Sequence, residues 1–200
     1  MKFVVPVVVS ATALLATSCA TFPGNQLPHV ADTSATGVKK VPLTYSMQSS
    51  HELIKGRETP STAAVATEAA GPLVDSMNGS GRFSSVRQGQ GGAIHVDVNM
   101  LNHGNGPAAM ASGFLTGFSL FTIPGFATDH YKLTAKARSS SGQSHQYVLE
   151  DRVTTVFWLP MIVAAPFNSP QKVVPEVQEN MYRNLIQNME NDGLIPRASR

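Results

Sequence analysis

The side chains best suited to binding a metal or a ligand are concentrated on one predicted strand. His95, Asp97 and Asn99 occupy alternate positions and therefore share one strand face, and His103 follows in a loop rich in Gly and Asn. Imidazole nitrogens and carboxylate oxygens are common metal ligands in proteins. This face is therefore a candidate metal or ligand site. The sequence contains no second cluster at ligand spacing, which favours a solvated polar face.

Patterns typical of enzymatic catalysis do not occur in the sequence. It has no Gly-x-Ser-x-Gly motif for an activated serine and no P-loop for phosphate binding. Glu150 and Asp151 form the only adjacent acidic pair, and they lie at the end of a predicted strand, where solvated carboxylates are common. The basic residues are scattered over a chain of formal net charge +2, which gives no nucleic-acid signature. We therefore expect no enzyme, no metal, no dissociable cofactor and no nucleic-acid partner.

The position of Cys19, the only cysteine, indicates a chemical role for its thiol. It follows a basic residue at position 2, an apolar segment at residues 3–15 and three small residues. An apolar segment of 13 residues is too short to span a bilayer and is typical of a signal peptide. Small residues before a cysteine resemble the lipobox of bacterial lipoproteins, in which the signal peptide is cleaved before an acylated cysteine. By this resemblance, residues 1–18 are a signal peptide and Cys19 carries covalent lipid.

The same resemblance implies a location for the protein. Ala20 follows the cysteine, whereas an Asp there favours inner-membrane retention in enterobacterial lipoproteins; the sequence therefore favours lipid anchoring at the periplasmic face of the outer membrane. Residues 20–40 are rich in Thr, Ser, Pro, Gly and Asn and predict a flexible tether. The expected organisation is thus a lipidated cysteine and tether at residues 19–40, followed by one periplasmic domain at residues 41–196.

Hydrophobic patterning in this domain predicts strands and helices in an alternating order. Strands are predicted at residues 41–48, 82–87, 93–101, 130–138 and 144–153. Helical spacing begins after residue 61, with an interruption at Pro72, and returns near Pro175, which suits the first turn of a helix. The segment at residues 49–60 reads as a polar connection. This order predicts an α/β (α+β) fold, with a mixed, mostly antiparallel sheet of four to five strands, two main helices packed on it and an apolar insertion.

A short motif in the middle of the chain carries a second resemblance. The residues are Leu73-x-x-Ser76-Met77 followed by Ser80-Gly81-Arg82-Phe83-x-x-Val86. They resemble the first helix and second strand of the curli-secretion-channel lipoproteins and of related envelope lipoproteins, including activators of penicillin-binding proteins and exopolysaccharide-export lipoproteins. The order of elements is similar from about Val41 to Ile195. The resemblance implies a lipoprotein of the cell envelope, in an outlying branch of this superfamily.

Two segments without Asp, Glu, Lys or Arg distinguish the chain from that pattern. They cover residues 107–128, inside the predicted sheet, and residues 153–168, one hairpin later. Ala109, Gly113 and Gly117 place small residues on one helix face, a pattern that lets helices pack closely. A helix in the first segment would be about 25 Å long, short of the roughly 30 Å hydrocarbon core of a bilayer. The side chains expected to contact a membrane or a partner are Phe114, Leu115, Phe118, Phe121, Trp158 and Phe167.

Three arrangements of these segments are compatible with the sequence. They can pack on the sheet as a buried part of the domain, rest in or on the membrane near the lipid, or form an exposed patch covered by self-association or by a partner. Because acylation already anchors the chain, association is the favoured meaning if the segments are not core. In each case we expect the two segments to lie side by side, at one end of the hairpin between them.

The sequence therefore predicts a non-enzymatic, membrane-anchored periplasmic lipoprotein. It would act in cell-envelope assembly or transport through protein–protein contacts, with an envelope protein or further copies of itself as partner. One alternative is an oligomeric secretion-channel component that inserts its apolar segments in the outer membrane. Another is a metal- or ligand-binding envelope protein that uses the face from His95 to His103.

Overall fold

A computed structural model describes residues 19–31, 37–62, 67 and 69–197. The predicted signal peptide lies outside these residues. The strands are β1 (Cys19–Pro23), β2 (Val41–Ile54), β3 (Arg57–Pro60), β4 (Phe83–Gln88), β5 (Ile94–Gly104), β6 (Gly125–Ser139) and β7 (Ser144–Phe157). The helices are α1 (Gly71–Gly79), α2 (Gly106–Phe118) and α3 (Pro170–Asn191), with a short 3-10 helix at Leu159–Ile162.

The strands form one mixed sheet in the order β1-β7-β6-β5-β2-β3, with β4 also paired to β2. β2 runs parallel to both β4 and β5, whereas the other pairs are antiparallel. The predicted α+β class and mixed sheet are confirmed. The predicted number of four to five strands is wrong, because the described residues form seven.

One of the two additional strands, β3, lies in the segment predicted to be a polar connection. All four of its residues are exposed, so it carries no alternation of apolar and polar side chains that could have revealed it. Its position follows from the turn before it, where Gly56 has a φ of 81°. Glycine adopts this left-handed backbone without steric cost, and the turn brings β3 back along the end of β2.

The other additional strand, β1, lies in the segment predicted to be a flexible tether. It pairs with β7 along its whole length, and Ala20 and Thr21 are fully buried. The main chain then crosses α3, where the Asn180 side chain accepts from Val30 N–H at 3.0 Å and the Asn184 amide donates to Pro28 O at 3.0 Å. These contacts correct the tether prediction for residues 19–31. The segment is held by backbone and amide groups that are distant in sequence. Such contacts leave no local pattern, and the polar composition therefore predicted flexibility.

The hydrophobic core lies between one face of the sheet and helices α1 and α3. β5 shows the predicted alternation, with every second side chain from Ile94 to Met100 buried. The predicted stripe of α3 is also buried; it comprises Val177, Met181, Leu185, Ile186 and Met189. Pro175 was predicted to lie in the first turn of α3. The helix instead begins at Pro170, which occupies the first turn, and Pro175 lies inside the helix. The described part of α1 begins at Gly71, with Pro72 in its first turn.

The Ser-Gly-Arg-Phe motif connects α1 to β4 and to the end of α3. The Ser80 hydroxyl donates to Met77 O at 2.7 Å at the end of α1, and Gly81 takes a φ of 69°. Arg82 Nη2 then lies 2.7 Å from Glu190 Oε2, and Phe83 is buried in the core. The motif therefore has a structural role, since it ends one helix and fixes the following strand to another.

Candidate functional site

The strand register places Cys19 and both apolar segments at the same end of the sheet. Cys19 is opposite Phe157 in the pairing of β1 with β7, and Phe157 is opposite Gly125 at the start of β6. α2 immediately precedes this point, and the 3-10 helix immediately follows it. We call this region, formed by residues 106–126 and 157–167, the apolar end.

Helix α2 packs against the sheet through small polar residues. Ser112, Thr116 and Ser119 recur at helical spacing, and Thr116 is only 1% exposed. Ser112 Oγ accepts from the Phe126 N–H at 2.7 Å, and Ser119 Oγ accepts from the Ile123 N–H at 3.1 Å. The polar side of this helix therefore faces the protein, the reverse of an ordinary surface helix.

The apolar side of α2 faces outward. Met110, Phe114 and Phe118, spaced four residues apart, are 78%, 75% and 82% exposed. Leu115, Leu120 and Ile123 are exposed as well. The arrangement in which the first apolar segment is a buried part of the domain therefore does not hold for these side chains. We call the row formed by Met110, Phe114 and Phe118 the ridge. Fully burying a side chain of this size stabilises by about 1.5–3 kcal/mol, so the ridge has a strong tendency to be covered.

The second apolar segment lies directly beside the first, as the sequence predicted. The Leu159 N–H donates to Phe121 O at 2.9 Å, and Trp158 Nε1 donates to Thr122 O at 3.3 Å. Phe121 and Trp158 are half-buried by this contact, whereas Phe167 is 71% exposed. Five of the six side chains predicted to contact a membrane or a partner thus lie on α2 and at the junction of the two segments, and Phe167 follows at the end of the second segment.

Two of the three small residues predicted to allow close helix packing face away from the rest of the domain. Ala109 is half-buried, and Gly113 and Gly117 are exposed. A Cβ added to either glycine would meet nothing within 4 Å. No described residue packs closely against these two glycines. The role of Ala109, Gly113 and Gly117 in helix packing therefore stays a prediction.

The turn after α2 holds two large apolar residues in the left-handed backbone conformation. Leu120 has a φ of 53° and Phe121 a φ of 61°, where glycine would be favoured. Non-glycine residues in this region are under strain of order 1 kcal/mol each. This turn places the Leu120 side chain in solvent at the apolar end. A glycine at this position would relieve the strain but would remove that apolar side chain.

A feature of this end that sequence reasoning missed is the tip of the β2–β3 hairpin. Leu53 O lies so close to Gly106, at the start of α2, that a Cβ at Gly106 would be 2.7 Å from it. Leu53 and Ile54 are exposed, and the charged residues Lys55 and Arg57 follow them at the tip. The pairing of β2 with β5, which aligns Glu52 with His103, also places this tip beside the apolar end.

The candidate metal face forms a hydrogen-bonded network on the open side of the sheet. His95 Nε2 lies 3.0 Å from Asp97 Oδ1, and its Nδ1 lies 3.0 Å from Thr44 Oγ1. The Ser46 hydroxyl donates to Asp97 at 2.6 Å, and Arg138 pairs with the same carboxylate. Within the described part of the chain, no three His, Cys, Asp or Glu side chains are grouped so that they could hold a metal ion.

Two further histidines, His130 on β6 and His145 on β7, lie outside this network. His130 and His145 are not neighbours, because β6 and β7 pair them with Arg152 and Ala137 respectively. His130 instead stacks on His103 across the β5–β6 pair, with ring centroids 5.1 Å apart. The face proposed from His95 to His103 is therefore divided, with His95 in the Asp97 network and His103 in this stacked pair.

Replacing Asp97 with Asn is expected to reduce stability at neutral pH by about 1 kcal/mol, a value discounted for partial exposure. The Ser46 hydroxyl, followed by Arg138 and His95, lowers the pKa of Asp97 from 3.8 to about 2. A lowered pKa stabilises the fold above 3.8, and this contribution is lost as the pH falls towards 2. Urea titrations should therefore show a difference between parent and variant that shrinks over this acid range. A difference independent of pH would contradict the role assigned to the Asp97 charge.

Neither the described helices nor the known protein families identify a function for these surfaces. Among the described residues, no helix has the length and apolar character needed to cross a bilayer. No protein-family model matches the chain, and no curated protein matches its sequence.

The chain has distant similarity to several solved structures. One is a Xanthomonas campestris protein described under the family DUF330, with 9% identity over 81% of this chain and 89% of that one, and a TM-score of 0.38. Another is a PelC dodecamer from Paraburkholderia phytofirmans, with 10% identity over 82% of this chain and 97% of that one, and a TM-score of 0.29. A second crystal form of the PelC dodecamer gives 9% identity and the same TM-score. The resemblance to the curli-secretion-channel lipoproteins stays a prediction from the sequence motif.

Proposed function

We propose that the chain is a lipid-anchored, non-enzymatic protein of the bacterial cell envelope that acts through contacts made at a membrane surface. The observation that carries this proposal is the position of Cys19 at the first residue of β1, beside the apolar end. Acyl chains on Cys19 would attach the sheet itself to the membrane, with no flexible linker between lipid and fold. The outer membrane is the expected location, because Ala20 follows the cysteine.

The remaining surface is suited to contacts with proteins in the periplasm. The open side of the sheet is lined by charged and polar side chains, among them Asp97, Lys136 and Arg138. It faces away from the helices and is continuous with solvent. A partner in envelope assembly or transport would meet this polar face while the lipid holds the domain in place.

A second candidate function, an oligomeric channel component, is favoured by the free stripe on α2. Gly113 and Gly117 leave room for a second helix to approach closely, and the same stripe on another copy would match it. Crosslinking in intact cells separates the two functions. Recovery of only self-crosslinked species supports the oligomer, whereas a crosslinked envelope protein supports the first function.

Lipid attachment is tested by metabolic labelling of cells with radioactive palmitate. The parent protein should be labelled, and Cys19→Ala should lose the label completely, because the chain has no other cysteine. Ser18→Ala is the matched control, since it changes the neighbouring residue but keeps a small side chain before the cysteine. A parent protein without label, or a labelled Cys19→Ala variant, would refute lipid anchoring.

A further inference from the structure

We propose that the apolar end is seated in the interfacial layer of the lipid bilayer, with helix α2 lying along the membrane surface. This inference rests on the proposed function, because it takes the lipid on Cys19 as the first attachment. It goes further by assigning lipid, and not a protein, as the material that covers Met110, Phe114 and Phe118.

The orientation of α2 is the first argument for this assignment. The helix is fixed to the sheet by the hydrogen bond from the Phe126 N–H to Ser112 Oγ and by the buried Thr116, so its apolar ridge cannot turn inward without losing both contacts. The ridge is therefore a rigid, outward-facing apolar surface. From residue 98 to residue 128 the sequence contains no Asp, Glu, Lys or Arg, so entry into lipid requires no burial of charge.

The position of the lipid anchor is the second argument. β1 begins at Cys19, and Cys19 is paired with Phe157 within the apolar end. Because no flexible residues separate the acylated cysteine from the sheet, the bilayer surface must lie against this end of the domain. A protein partner covering the same side chains would have to displace the membrane that the anchor holds there.

The residues bordering the ridge are the third argument. Trp158 lies at the junction of the two apolar segments, and tryptophan favours the boundary between hydrocarbon and water. On the neighbouring hairpin, exposed Leu53 and Ile54 are followed by Lys55 and Arg57. Acidic residues at positions 52 and 58 balance the two basic charges, so the tip carries no net charge, and the long basic side chains can reach the headgroups while their apolar neighbours enter the acyl boundary.

The size of α2 fixes how it can be accommodated. Its 13 residues extend over about 20 Å, which is too short to cross the hydrocarbon core. Its ridge side chains lie on one side, whereas its opposite side is bonded to the sheet. The helix is therefore expected to lie flat at shallow depth, with the ridge below the headgroups and the domain above them.

Trp158 is the only tryptophan in the chain and supplies a direct probe of this arrangement. The acylated full-length mature protein is reconstituted in vesicles of phosphatidylethanolamine and phosphatidylglycerol, with or without bromine on the acyl chains. Bromine quenches tryptophan on contact. We expect loss of most Trp158 emission in the brominated vesicles, and stronger quenching by bromine near the headgroup than by bromine near the chain end.

The double variant Phe114→Ser/Phe118→Ser tests whether the ridge causes this contact. Both side chains are largely exposed, so the fold is expected to be retained, and far-ultraviolet circular dichroism checks it. The variant should remain vesicle-bound through its lipid and lose most of the quenching. Val148→Ser is the matched control, because Val148 is an exposed apolar residue in the middle of β7, and this variant should be quenched like the parent.

Two outcomes would overturn the inference. One is unquenched Trp158 in a parent protein that floats with the vesicles; lipid anchoring would then stand and the seating would fail. The other is a Trp158 emission that responds to protein dilution and not to bromine, which would assign the ridge to a second copy. A purified chain without lipid would instead refute the proposed function, on which the seating rests, so the two failures are distinguishable.

Discussion

Replacing Gly125 with Ala is expected to lower the free energy of unfolding by about 2 kcal/mol, within the range measured for overpacked sites. Gly125 is buried where β6 passes under α2. An added Cβ would overlap Thr116 Oγ1 and would approach Ser112 Oγ to 2.9 Å and Ser112 O to 3.1 Å. Because one of these atoms is backbone and the hydroxyls are themselves hydrogen-bonded, α2 has to move away from the strand. The measurement is the urea midpoint of the purified protein, followed by circular dichroism.

The same substitution at Gly113 gives the matched control. Gly113 lies on the exposed side of α2, and a Cβ there meets nothing within 4 Å. Alanine is the better helix former, so Gly113→Ala should leave stability unchanged or raise it by up to about 1 kcal/mol. Equal losses in the two variants would contradict the packing of α2 on β6. Displacement of α2 in Gly125→Ala should also weaken Trp158 quenching by brominated lipid, because the ridge would no longer be held in place.

The sequence predicted five strands correctly because each has an apolar face in contact with the helices. β5 is the clearest case, since its alternating side chains from Ile94 to Met100 all enter the core. β1 and β3 have no such signal. β3 is fully exposed, and β1 is held by backbone pairing with β7 and by the Thr21 N–H, which donates to Asn168 O at 2.7 Å. The pairing of β1 with a strand distant in sequence leaves no local pattern, so the composition of residues 20–40 alone predicted a flexible tether.

The sequence identified α2 as an apolar segment but did not decide which side of the helix faces the sheet. Helical spacing and the absence of charge identified α2 as apolar, and the same periodicity places Ser112, Thr116 and Ser119 on one side. On an ordinary surface helix that polar side would face water. Here it faces the sheet, because Gly125 allows a close approach, the Ser112 hydroxyl accepts from the Phe126 N–H of β6, and the Ser119 hydroxyl accepts from the Ile123 N–H of the following turn. The periodicity of a helix defines its two sides, but only its neighbours decide which side is buried.

Replacing Arg82 with Met is expected to destabilise the fold by about 2 kcal/mol, less than the 3–5 kcal/mol found for fully buried ion pairs. Arg82 Nη2 lies 2.7 Å from Glu190 Oε2, and both side chains are 13% exposed. The pair joins the start of β4 to the last turns of α3, where water screens it poorly. Methionine keeps most of the aliphatic volume, so the measured loss reports mainly on the charge and its hydrogen bonds.

Two comparisons identify the origin of this loss. Lys132→Met removes the cation from the pair with Glu150, whose side chains are 41% and 57% exposed, and should cost less than about 0.5 kcal/mol. The double variant Arg82→Met/Glu190→Gln should recover part of the stability lost in the single variant, since it no longer buries a carboxylate beside an apolar side chain. Strictly additive losses would show that Arg82 acts through packing alone. The Ser-Gly-Arg-Phe motif would then stabilise the domain through its helix-ending turn and Phe83, and not through the ion pair.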